Sequence, residues 1–218
     1  MDLRIIGVCG VIGSGKSTFS KLLAGHIRAT YRKSVAIIST DELFKRVVLN
    51  DVDFRIAVYT QFCNMFDFPS IFKNGNYNSH DLTDMFFGDH EGNSNKNYGI
   101  NKLSVFNSIT YPFLLEAVKK ELRQVYHPDD TYVILEMATL PNSKISFICN
   151  DIIEVRWKID YSIVENRDKG KNRSPEMYER IVKYQKGCIA NGVRPVDRVF
   201  KMEHDNIPDL VKTYEWFE

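Results

Sequence analysis

Gly10-Val11-Ile12-Gly13-Ser14-Gly15-Lys16-Ser17 fits the phosphate-binding pattern G-x-x-x-x-G-K-S/T at every fixed position. The pattern has a physical basis. A polyphosphate needs backbone N–H donors close to its oxygens, and only a loop low in Cβ atoms lets the main chain come that near. Gly10, Gly13 and Gly15 supply such a loop. In this reading Gly13, Ser14, Gly15, Lys16, Ser17 and Thr18 bind nucleotide phosphates, with Lys16 acting as a point charge on the outer ones. The Ser17 hydroxyl is expected on a Mg²⁺ that bridges phosphate oxygens, and the helix that follows adds its positive end.

The motif carries weight only between a strand and a helix. Leu3 to Cys9 is an apolar run suited to a buried parallel strand, and Phe19, Leu22, Leu23 and Ile27 recur at helical spacing after Ser17. Outward from there, Val35 to Ser39 reads as a second strand whose C-terminal end carries Thr40 and Asp41. Ligands bind at that edge of an open α/β sheet, so Asp41 is a candidate base for an acceptor hydroxyl. The plainer role for Thr40 or Asp41 is N-cap of the helix that follows.

Residues 50–127 interrupt the strand–helix alternation and read as a helical insertion. Within it, Gly88 to Asn101 is rich in Gly and Asn and reads as an exposed loop, and Tyr111-Pro112 is expected to open a helix over Phe113 to Val125. Thr131 to Leu135 is a third strand that delivers Glu136 to the same edge as Asp41. A fourth run, Asp151 to Trp157, leads to a helix ending near Arg167, and a basic segment from Arg167 to Pro175 reads as a lid. Arg167 and Arg173 flank it and are expected to bring guanidinium groups to the transferring phosphoryl group. Ser174-Pro175-Glu176 starts a helix through Gln185, followed by a strand at Arg198 to Met202 and a helix at Pro208 to Phe217. The sum is an α/β protein of three layers: a parallel five-stranded sheet flanked by helices, with a helical acceptor-binding insertion and a lid. This is the plan of small P-loop kinases. One domain spans 1–218, its core formed by 1–49 and 128–218.

Composition narrows the partners. Lys plus Arg number 29 and Asp plus Glu 28, a formal charge of +1, so no broad basic field marks a nucleic-acid binder. Cys9, Cys63, Cys149 and Cys188 lack metal-ligand spacing and read as small buried hydrophobes. Met1 to Arg4 runs directly into the first strand and no apolar run approaches a membrane span, which predicts a soluble, cytoplasmic protein with no leader.

With these residues in view, the chain resembles the dephospho-coenzyme A kinase family over most of its length. Gly7 to Thr18 is similar to the family's opening, whose loop reads G-G-I-G-S-G-K-S-T; Val11 replaces one glycine. Ser39-Thr40-Asp41 is similar to the family's D-A-D segment, and Arg180-Ile181 with Gln185 to its R-I-x-x-Q helix. The resemblance implies ATP and Mg²⁺, with Lys16, Asp41 and Arg167 as catalytic residues and Arg173 on the nucleotide. The loop pattern and the strand ends themselves give Ser17 as the expected metal ligand, joined by Asp41 or Glu136 through water. The acceptor implied is the ribose 3′-hydroxyl of dephospho-CoA.

Three departures fall on the acceptor side. Tyr111-Pro112 stands where the family has His-Pro, and Glu136 to Pro141 replaces the family's aspartate and P-L-L-F-E. Ser79 and His80 lie nearest the family's arginine before the insert helix. A nucleoside or deoxynucleoside monophosphate kinase, and a nucleotide-binding homologue without kinase activity, are the alternatives.

Overall fold

The computed structural model describes residues 3–66, 71–73, 76–88, 98–125, 131–157 and 174–213. Strand β1 (Arg4–Cys9) leads through the glycine loop into helix α1 (Lys16–Tyr31), then β2 (Ser34–Ser39) and the short helix α2 (Thr40–Arg46). Next come α3 (Val52–Ala57), a π-helical stretch Val58–Cys63 and one further turn, α4 (Asn64–Phe66). An antiparallel ribbon of β3 (Phe72–Lys73) and β4 (Asn76–Tyr77) precedes α5 (Ser79–Phe87) and the long α6 (Tyr98–Val125). The chain continues with β5 (Thr131–Glu136), β6 (Asp151–Arg156), α7 (Pro175–Ala190), β7 (Arg198–Lys201) and α8 (Ile207–Thr213).

Strands β2-β5-β1-β6-β7 form one sheet, and every pair in it is parallel. Side chains alternate along each strand, so each face draws on every second residue. Ile6, Val8, Ile134, Ile153 and Val155 meet α1 and α8 through Phe19, Leu23, Ile27, Leu210 and Val211. Ile5, Cys9, Val133, Leu135 and Ile152 meet α6 and the turns around Leu140 and Ile145. Both faces are covered, which is why the strands read as unbroken apolar runs rather than alternating ones.

The buried face of α1 is Phe19, Ser20, Leu23, Ala24 and Ile27, whereas Leu22, expected on it, is 54% exposed. At about 100° per residue, Leu22 falls outside the arc set by the other five. The described residues within 50–127 are mostly helical, as expected, but include the β3–β4 ribbon, and Tyr98 to Asn101 form the first turn of α6 instead of a loop.

The largest correction concerns Pro112, which lies inside α6 and does not open a helix. Proline has no N–H for the Ser108 carbonyl, a cost of about 3 kcal/mol in a helix interior. Leu103, Phe106 and Ile109 before it, and Leu114, Ala117 and Val118 after it, are all buried in one core at helical spacing. Each large side chain so buried contributes about 1.5–3 kcal/mol, and together they outweigh one lost bond. The expected helix ending near Arg167 and the lid residues up to Arg173 lie outside the described residues.

Gly7 marks where β1 is packed tightest: a Cβ there would sit 2.5 Å from Leu140 Cδ2, 3.0 Å from Cys149 Sγ and 3.3 Å from the Asp151 carbonyl oxygen. Leu140 is fully buried and has nowhere to swing. Gly7→Ala is expected to lower folding stability by about 1–3 kcal/mol, read as an earlier urea midpoint. An unchanged midpoint would show that this contact relaxes freely.

Candidate active site

The loop after β1 adopts backbone angles that its glycines make accessible. Gly10 and Gly15 have φ of 146° and 85°, and a Cβ at Gly10 would lie 2.5 Å from both Ser14 Oγ and the Val155 carbonyl oxygen. At Gly15 the Trp157 ring is 3.0 Å from the Cβ position. Ser14 N–H donates to Val11 O at 3.1 Å, which closes the loop, and Ser14 Oγ is buried without a hydrogen-bond partner. Helix α1 starts at Lys16 with no side-chain cap, so its first-turn N–H groups are left for an anion.

Lys16 Nζ donates to the carbonyls of Gly10 at 2.9 Å and Val11 at 3.0 Å. Burial lowers its pKa, and the charges of Asp41 and Glu136 oppose that shift. Ser17 Oγ donates to Glu136 Oε2 at 2.9 Å. Sheet register makes this possible, because Glu136 is paired with Val8 on one side and with Ser39 on the other. Glu136 is 8% exposed, a nearly buried carboxylate aimed at the loop. Ser17 and Thr18 are exposed at the start of α1.

Asp41 lies exposed in the first turn of α2. The N-cap is Ser39, whose Oγ accepts from Glu42 N–H, and not Thr40 or Asp41 as expected. The Thr40 hydroxyl is instead committed to the Glu136 carbonyl at 3.0 Å, tying the start of α2 to the end of β5. Asp41 thereby keeps its carboxylate free of hydrogen-bond partners among the described residues. Arg167 and Arg173 lie outside the described residues, so the structure brings together Lys16, Ser17, Asp41 and Glu136 from the expected set.

Two residues of the site have roles that local pattern did not reveal. Gln185 Oε1, on α7, accepts from Ile12 N–H at 2.7 Å and holds the loop from outside. Tyr77, on the ribbon, packs edge-on against Phe44 of α2, with centroids 5.5 Å apart. Its phenol pKa is pushed up to about 12 by burial and by the charge of Asp41. Tyr111, at the altered His-Pro position, has its hydroxyl 3.5 Å from Thr139 Oγ1, just beyond β5. Arg180 Nη1 donates to the Phe87 carbonyl at 2.8 Å and joins α7 to the end of α5.

On the far side of the loop, toward β6 and β7, a cavity of about 880 Å³ is lined by Val11, Ser14, Glu154, Arg156, Trp157 and Lys186, among others. Arg156 forms a two-pronged pair with Glu154, at 2.8 and 2.7 Å.

A parallel sheet with a glycine loop, a lysine and serine opening the next helix, and an acid at the end of the adjacent strand define a P-loop phosphotransferase. A family model described as dephospho-CoA kinase matches residues 4–187, and the chain belongs to the dephospho-CoA kinase family. A dephospho-CoA kinase of Fusobacterium nucleatum is 28% identical over 221 residues, covering 100% of this chain and 98% of that one. One from Bartonella henselae is 21% identical over 213 residues, covering 98% and 92% respectively. The crystal structure of TT1252 from Thermus thermophilus has the same fold, with a TM-score of 0.59 at 18% identity, and the match covers 99% of this chain and 96% of that one. Among the described residues no helix is long and apolar enough to cross a membrane.

The bond from Ile12 to Gln185 yields a prediction about the loop. Gln185→Leu keeps the volume and removes the acceptor, so the ATP concentration giving half-maximal signal in a tryptophan fluorescence titration is expected to rise about fivefold. Unchanged affinity would mean that the loop holds its shape without α7.

Proposed function

We infer that this chain transfers the γ-phosphoryl group of ATP to the ribose 3′-hydroxyl of dephospho-CoA. The observation that carries this reading is the convergence of Lys16, Ser17 and Glu136 at the loop, with a free Asp41 carboxylate beside them at the acceptor end. The strand order supports a division of labour. The loop follows the central strand β1; Asp41 lies toward β2 on one side, and the 880 Å³ cavity lies toward β6 and β7 on the other. A donor nucleoside on the cavity side and an acceptor on the Asp41 side would meet at the loop.

The loop suits a polyphosphate because its positive-φ glycines and uncapped helix start present N–H groups where a Cβ would clash. Mg²⁺, when bound, supplies charge neutralisation on the phosphoryl oxygens. Ser17 would hold it, with Glu136 reaching it through water. Lys16 would exchange its two carbonyl partners for the outer phosphates, a charge-assisted contact stronger than either bond it leaves. Asp41 would take the proton of the 3′-hydroxyl as the oxygen attacks phosphorus. Arg167 and Arg173 are proposed as the guanidinium donors that stabilise the transferring group. The segments 50–127 and 167–175 are proposed as acceptor-binding insertion and lid of a single domain.

The direct test is turnover with ATP, Mg²⁺ and a panel of dephospho-CoA, AMP and dTMP, read as ADP formed. Dephospho-CoA is expected to raise ADP far above the acceptor-free rate; stimulation only by AMP or dTMP would move the chain to nucleotide phosphorylation, and stimulation by none would remove the kinase reading. Asp41→Asn is expected to cut turnover about 10²-fold with ATP affinity retained. Lost ATP affinity in that variant would place Asp41 on the metal rather than on the acceptor. Glu136→Gln keeps an acceptor for the Ser17 hydroxyl but removes the charge. It is expected to lower turnover about 10²-fold and to raise the Mg²⁺ needed for half-maximal rate. An unaltered Mg²⁺ requirement would count against Glu136 as a metal partner.

A further inference from the structure

The acceptor side holds two hydrogen-bonding groups of opposite character that do not bond to each other. Asp41 and Phe44 are one turn apart on α2 and so share a face, and Tyr77 packs on Phe44 from the ribbon. Tyr77 is held there from its own side as well: it pairs with Phe72 across the ribbon, their rings 6.4 Å apart, and Asn78 N–H donates to the Ile71 carbonyl at 2.8 Å. Arg55 lies 4.5 Å over the Phe72 ring and stiffens the same corner. Among the described residues neither the Tyr77 hydroxyl nor the Asp41 carboxylate has a hydrogen-bond partner. Asp41 is exposed and Tyr77 only half-buried, so an acceptor can reach both. The phenol keeps its proton throughout the neutral range, so Tyr77 can donate where Asp41 can only accept.

A single hydroxyl needs only the carboxylate. A vicinal cis-diol uses both groups: one hydroxyl donates to Asp41 while its neighbour accepts from the phenol. We propose that Tyr77 is a specificity-determining residue that reads the 2′-hydroxyl of the acceptor ribose while Asp41 faces the 3′-hydroxyl, so that the enzyme selects ribose over 2′-deoxyribose. The inference rests on the 3′-hydroxyl reading of the acceptor. It goes beyond that reading in assigning the second hydroxyl to a residue of the insertion, 36 positions after Asp41 in the chain.

The test uses the full chain with dephospho-CoA and its 2′-deoxy analogue, which retains the 3′-hydroxyl. The wild-type enzyme is expected to favour the ribose acceptor about tenfold or more in kcat/KM, since a site built to bond a hydroxyl is penalised when that hydroxyl is missing. Tyr77→Phe keeps the ring against Phe44 and Phe72. It is expected to lose about tenfold on dephospho-CoA, with the 2′-deoxy rate and the KM for ATP unchanged. Equal use of the two acceptors by the wild-type enzyme overturns the inference without any variant. An equal loss on both acceptors in Tyr77→Phe also overturns it, since that would be a packing effect. Absence of any turnover with dephospho-CoA in the wild type would instead overturn the functional reading on which the inference stands.

Discussion

The hydrogen bond from Ser17 to Glu136 joins groups 119 positions apart in sequence, and the arrangement of the site depends on it. It exists because β5 inserts between β2 and β1, so that a strand distant in sequence becomes the loop's neighbour. Parallel strands require crossover connections, and the crossover between β2 and β5 is where residues 50–127 are accommodated. The connection therefore leaves β2 at the edge where the loop lies and returns to β5 at the opposite edge of the sheet. Thr40, bonded to the Glu136 carbonyl, makes the same junction from the other side. One carboxylate residue thus connects the loop, the end of β5 and the start of α2.

A second constraint comes from α7. A loop rich in glycine has many conformations to lose on folding, and the bond from Ile12 N–H to Gln185 restrains it from outside. Arg180, one and a half turns earlier on the same helix, reaches the end of α5. Helix α7 thus touches both the phosphate loop and the insertion, and displacement of one would be felt at the other. On the opposite flank, Trp157 packs against Gly15. The loop is held between a helix and an aromatic ring, while its first-turn N–H groups stay open.

Much of the core was legible in sequence because parallel strands buried on both faces leave short, unbroken apolar runs. Arg4–Cys9, Ser34–Ser39, Thr131–Glu136 and Asp151–Arg156 all fall within a residue or so of where those runs lie. Helix α7 was legible for a different reason: Ser174 caps it by accepting from Met177 N–H, and Pro175 sits in its first turn. Pro112 misled, because a rule about local backbone cost says nothing of how many side chains a helix will bury on either side. Leu22 misled by lying just outside an arc that only the sheet defines.

By itself the sequence determined the chemistry on offer at the loop: glycines for close approach, a lysine for charge, a serine for a metal, and acids at strand ends. These are local properties, carried by residue type and spacing. Only the tertiary structure decided which acid meets Ser17, since that follows from strand order and register, which no stretch of ten residues encodes. It likewise decided that Gln185 braces the loop and that Tyr77 packs on Phe44 of the helix that carries Asp41. Both contacts link segments that are far apart along the chain and adjacent only once the sheet and the insertion have packed.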